Sequence, residues 1–201
     1  MRNNKLEKND LNEFISSILY ESADIKKKIS ESCINEIILA GEIIAECLKS
    51  GKKVMLCGNG GSAADSQHIA GEFIVRLTSK RNRNALPAIA LTTDTSVITA
   101  CSNDFGFEHI FSRQIEALGN DGDVLLGIST SGNSQNVINA INKAKEKNVK
   151  TIAFLGADGG KAKGMSDVDI IIPSDNVCRI QEGHSTVGHI LCDIVENMIF
   201  G

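Results

Sequence analysis

Apolar residues in the first fifty positions recur at helical spacing. Leu11, Phe14, Ile15, Ile18 and Leu19 fall on one face of a helix. Asp10 followed three residues later by Glu13 resembles a capping box opening it. A second stripe, Ile34, Ile37, Ile38, Ile44 and Leu48, stops at Ser50-Gly51, which reads as a C-terminal cap. From residue 52 the pattern changes to short apolar runs at 54–57, 88–91, 124–128, 151–155 and 168–172. Helical patterns lie between them near 63–77, 95–101, 107–118, 135–147 and 179–199. Alternation of this kind predicts an α/β fold: a five-stranded parallel sheet with helices on both faces, flavodoxin-like in layout. Pro87 and Pro173 both sit at predicted strand edges, and no repeat, low-complexity tract or linker interrupts the pattern. The expected organisation is one domain, with a helical extension over 1–51 and the α/β unit over 52–201.

Composition narrows the function classes. With 201 residues there is enough chain for one substantial core. A net charge of −4 gives no global basic field for nucleic acid, and 4% aromatics with no Trp leaves few stacking platforms. The clusters 26–28 and 80–83 read as solvated basic faces or loops. The first ten residues are too polar for a signal peptide, and no apolar run reaches membrane-spanning length. Six scattered cysteines without a Cys-x-x-Cys pair read as reduced thiols of a cytoplasmic protein.

Two loops follow strands and precede helices. Residues 129–134 read Ser-Thr-Ser-Gly-Asn-Ser, four hydroxyls in six positions. A helix start presents unpaired N–H groups and the positive end of the helix dipole, so it attracts anions. No lysine lies in this loop, which departs from the P-loop pattern and favours a small-molecule monophosphate over a nucleoside triphosphate. The other loop is Gly58-Asn59-Gly60-Gly61-Ser62, whose glycines admit a ligand close to the backbone. Ser62 and Asp65 read as the cap of the helix that follows. In open parallel sheets, ligands bind at the carboxyl ends of strands where the strand order reverses.

The helix after Ser62 carries His68 and Glu72, four apart and so on one face. The last helix carries Gln181, Glu182, His184 and His189. Histidine and carboxylate are zinc-type ligands. Equally, Glu72 stands four residues before Arg76, the spacing of an ordinary helix ion pair, and His189 reads as well as a core histidine. Gln181 and His189 are separated by about 12 Å along a straight helix, so sharing one ion asks for an irregular helix start or bent rotamers.

Four stretches carry a resemblance that covers residue 10 to the end: GNGGSAADSQHIAGEF, Asn103-Asp104-Phe105-Gly106, GDVLLGISTSGNS and RIQEGHSTVGHILCD. Together they resemble the sugar isomerase (SIS) domain family, and within it the branch that isomerises phosphorylated heptoses. The resemblance implies conversion of sedoheptulose 7-phosphate to D-glycero-D-manno-heptose 7-phosphate through an enediol, the first step toward nucleotide-activated heptose for lipopolysaccharide or capsule. It implies one zinc ion per subunit, held by His68, Glu72, Gln181 and His189, with Glu72 and His189 as the acid/base pair. Implied substrate contacts are Asn59, Gly60, Gly61, Ser62, Glu72, Asn103, Asp104, Ser129, Thr130, Ser131, Ser134 and Gln181. A homotetramer with active sites between subunits is implied as well. His184 falls outside this ligand set and reads as structural. The competing readings are a non-catalytic SIS protein that partners the bacterial replication initiator, or a sensor of sugar phosphate. The former lacks the glutamate and the final histidine, whereas this chain has Glu72 and His189.

Overall fold

Continuous burial marks the centre of the sheet. A computed structural model describes residues 8–201, and in it strands β1 (Val54–Gly58) and β3 (Val124–Ser129) are buried along their whole length. Strands covered on both faces need apolar residues at successive positions, which is why these runs do not alternate. β4 (Lys150–Gly156) lies beside β3, and β5 (Val168–Ile172) and β2 (Ala88–Ala90) form the two edges. The order is β2-β1-β3-β4-β5, and every pairing is parallel. The strand order therefore reverses between β1 and β3, where the predicted pair of loops emerges.

Alternate strand residues feed two separate cores. Val54, Leu56, Leu126, Ile152 and Phe154 face helices α1 (Lys8–Ser32), α2 (Ile34–Lys49), α3 (Gly61–Ile74) and α7 (Val177–Phe200). Met55, Cys57, Leu125, Ala153 and Leu155 face α4 (Thr95–Phe105), α5 (Ile110–Leu118) and α6 (Gln135–Glu146). This is the expected doubly covered α/β sheet, with its helical extension docked on one face. Among the described residues, no helix is long and apolar enough to cross a membrane. All six cysteines are free thiols, and burial pushes those of Cys57 and Cys192 up to about 12.

Several local expectations are corrected. α1 already includes Lys8, so Asp10 lies in its first turn instead of preceding it as a cap. Only the second half of α1 is fully docked, through Ile25 and Ile29. Leu11, Phe14, Ile15 and Leu19 are exposed, with Leu19 at 63%. The second stripe also divides: Ile37, Ile44 and Leu48 are buried, while Ile34 and Ile38 face outward. The basic cluster at 80–83 is not a purely solvated loop, because the Arg83 side chain is 1% exposed.

Candidate active site

The two loops at the strand-order reversal are stapled together by a pair of amides. The Asn59 side chain donates to Oδ1 of Asn136 at 2.9 Å, and Asn136 donates back to Oδ1 of Asn59 at 2.8 Å. Asn136 is buried in the first turn of α6. Sequence reasoning missed it; the available signal was a polar residue beside core-facing Val137, Ala140 and Ile141. Asn59 keeps one amide hydrogen and one lone pair for a ligand.

Helix α3 begins at Gly61, with Gly60 as its cap and no side-chain cap. The predicted Ser62–Asp65 cap is therefore corrected. Ser62 is buried inside the first turn, and Asp65 instead accepts a hydrogen bond from Ser185 Oγ at 2.7 Å. α3 and α7 run side by side in the same direction. Gly61 meets Gln181, Asp65 meets Ser185, and His68 meets His189. A Cβ at 61 would stand 2.4 Å from Gln181 Nε2, so a side chain there would displace the Gln181 amide. Gln181, Ser185 and His189 line an open cleft of about 510 Å³ with Gly61, Asp65 and Lys26.

Three of the four expected ligands converge. The Nε2 atoms of His68 and His189 are 2.7 Å apart, and His68 Nε2 lies 3.6 Å from Glu72 Oε1. One ligand atom from each of the three falls within 4.8 Å of the others. Two unprotonated imidazole nitrogens repel at 2.7 Å, so a proton or a cation must sit between them. Both histidines are open to solvent, and the Glu72 side chain is mostly covered. α7 is regular from Val177 onward, so of the two routes to a shared ion, an irregular helix start or bent rotamers, the first is absent. Gln181 packs on Gly61, seven residues before His68, and shares the cleft wall with His189 alone of the trio.

The ordinary readings of these residues are decided by where α3 stops. It ends at Ile74, so Arg76 is off the helix and Glu72 faces His68. His184 points the other way, into the core. It is wholly buried, its Nε2 lies 2.9 Å from the Leu155 carbonyl, and its ring sits 5.5 Å from that of Phe154. The carbonyl can only accept, so Nε2 carries the hydrogen. Burial pushes this histidine down to about 4, which keeps it neutral near pH 7.

The hydroxyl loop is rigid at its base and open at its tip. Ser129 closes β3 and is buried, and its Oγ donates to Ser134 Oγ at 3.0 Å. Ser134 is the N-cap of α6 and makes no side-chain cap bond. Ser131 Oγ accepts from the Asn133 amide at 3.2 Å. Gly132 turns with φ of +62°, where a Cβ would lie 1.9 Å from the Gly159 carbonyl oxygen. The loop is thereby pinned to the β4–β5 connection, which adds bonds from Ala162 N to Gly132 O and from Lys161 N to Asn133 Oδ1. No acidic residue lies in the first turn of α6 to repel an anion.

Asn103 and Asp104 are not drawn into this group. They lie near the end of α4, joined to each other at 2.8 Å, and Asp104 lines a separate hollow with Arg113. Among the described residues neither bonds to the glycine loop, the hydroxyl loop or the His–Glu–His trio.

Residues 19–156 match the SIS domain family. The chain is 52% identical over 190 residues to a phosphoheptose isomerase from Clostridium acetobutylicum, covering 94% of this chain and 96% of that one. Its fold is similar to the solved phosphoheptose isomerase of Francisella tularensis, with a TM-score of 0.88 and 38% identity over 92% of this chain and 97% of that one. The solved phosphoheptose isomerase of Neisseria gonorrhoeae gives a TM-score of 0.85 and 43% identity, over 93% of this chain and 99% of that one.

Proposed function

The chain belongs to the phosphoheptose isomerases of the SIS domain family, and from that premise we propose that its chemistry resides where α3 and α7 lie together. The enzyme is an aldose–ketose isomerase acting on sedoheptulose 7-phosphate. One observation supports the assignment of residues above the rest: His68, Glu72 and His189 present three ligand-type atoms within 4.8 Å beside an open cleft. The reading with Glu72 as a helix ion-pair partner has lost its Arg76, and the reading of His189 as a core histidine has lost its burial.

Isomerisation moves a carbonyl from C2 to C1. A base takes a proton from C1, an enediol forms, and a proton returns to C2. Glu72 is the carboxylate suited to carry that proton, and His189 suits the transfer between the two oxygens. Asn59 to Ser62 and Gln181 line the approach to the trio. Ser129, Thr130, Ser131 and Ser134, with the amides opening α6, receive the phosphate by hydrogen bonds, without a lysine. Asn103 and Asp104, remote from this cluster within one chain, serve as substrate contacts at a site shared between subunits.

The donor set fits a divalent metal. Two imidazole nitrogens and a carboxylate suit zinc, with the Gln181 amide oxygen as the fourth ligand. A bound zinc ion supplies Lewis acidity toward the substrate's oxygens. The protein assembles as a cytoplasmic homotetramer, supported by the exposed apolar face of Leu11, Phe14, Ile15 and Leu19. Left bare, such a face is a liability. The heptose product enters the synthesis of nucleotide-activated heptose.

Purified enzyme treated with chelator tests the site. It should lose turnover of sedoheptulose 7-phosphate, followed by the aldose signal in NMR, while its circular dichroism holds, and added zinc should restore it. Full turnover in metal-free protein removes the ion from the account. Light scattering that shows a stable monomer at micromolar concentration removes the tetramer.

A further inference from the structure

Arg83 lies outside the cleft, yet its guanidinium holds both walls of it. α3 ends two residues beyond Glu72, and its last turn closes with Val75 N bonding Gly71 O at 2.8 Å. No amide further along a helix is left to serve the Glu72 carbonyl, so it is one of the orphan acceptors of a helix end. Arg83 Nη2 donates to that carbonyl at 2.7 Å, and Nη1 donates to the Phe73 carbonyl at 2.8 Å. Nε of the same group donates to Glu196 Oε1 at 2.7 Å. Glu196 is on α7, two turns beyond His189, and its side chain is 3% exposed. Its Oε1 also accepts from the Leu77 amide at 3.2 Å, and Arg81 bonds the neighbouring Asn197 at 2.7 Å.

We infer that Arg83 is a positioning residue: by bonding the backbone of Glu72 and the helix of His189 at once, it sets the separation between these two groups. The inference rests on the assignment of Glu72 and His189 above. A planar guanidinium suits the task because its donors point in fixed directions, so the two bonds constrain angle as well as distance. Lysine has one nitrogen and cannot reach Glu196 and the Glu72 carbonyl in that geometry. A displacement near 1 Å is enough to reduce a proton transfer strongly. The phosphate loop hangs on β3 and α6, not on α3, so its hold on the phosphate should be spared.

Two variants separate positioning from mere stabilisation. Arg83→Lys keeps a charge facing Glu196, and Arg83→Met with Glu196→Met removes that pair's two charges together, while Arg81, 3.8 Å from Glu196, keeps its bond to Asn197. For each, kcat and KM for sedoheptulose 7-phosphate are measured on folded protein, with the ring signals of His68 and His189 followed by NMR. The expected result is a kcat about 10- to 100-fold lower, KM nearly unchanged, and shifted ring signals in both variants. Arg83→Lys carries the test if the double variant does not fold. A lower melting temperature with wild-type kcat and unmoved ring signals overturns the inference, because Arg83 then only stabilises. Glu72→Gln is run in parallel: if that variant is active, the catalytic assignment fails, and the ring signals alone still decide whether Arg83 positions the trio.

Discussion

The two faces of α7 carry the same residue type to opposite ends. His184 looks into the core, is fully buried, and keeps its Nε2 on the Leu155 carbonyl. His189, five residues on, is turned by about 140° around the helix and meets His68 in the open cleft. The first is held neutral by burial, with its pKa down to about 4. The second is solvent-accessible and stands within 4.8 Å of His68 and the Glu72 carboxylate. Histidine chemistry is thus assigned by the face of the helix, not by the motif that contains both.

The sharpest way to break this contrast is at Glu72, which stands beside His68 on the cleft side. Glu72→Gln should lower kcat by about 10²- to 10⁴-fold, the usual worth of a general base, with an unchanged melting curve. An active Glu72→Gln variant would end the distinction between the faces. The buried side should show itself in acid. Between pH 6.5 and about 4 the unfolded chain takes up a proton at His184 that the folded chain refuses. Stability from this residue is therefore complete above pH 6.5 and is lost as pH falls toward 4, by about 3 kcal/mol in total. Urea unfolding across that window should show the loss, and His184→Gln should flatten that part of it. A smaller effect belongs to the hydroxyl loop. Ser134→Ala frees Ser129 of its partner and should weaken sugar-phosphate binding by about 1 kcal/mol. Calorimetry with unchanged affinity would place the phosphate elsewhere.

Much of this arrangement was legible in the chain, because the signals were local. Apolar runs placed all five strands within a residue or two, since strands covered on both faces need unbroken apolar sequence. The spacing of His68 and Glu72 put them on one face, where they are found. What stayed hidden depends on partners distant in sequence. Arg83 looked like part of a solvated basic cluster, and its burial follows from Glu196, 113 residues away. Asn136 takes its role from Asn59, 77 residues earlier. The start of α3 was misread because Ser62 and Asp65 have cap-like spacing, yet the β1–α3 turn is made by glycines, and Asp65 is claimed by Ser185. His184 and His189 could not be ranked by spacing alone, since either face of α7 could have been the buried one.

The central claim is therefore tested most directly by changing these two histidines in parallel, as His189→Gln and His184→Gln, and measuring turnover of sedoheptulose 7-phosphate per folded molecule beside the thermal midpoint. The account predicts that His189→Gln melts like the parent and scarcely turns over, and that His184→Gln melts lower and turns over normally. An active His189→Gln beside a stable, inactive His184→Gln would contradict it.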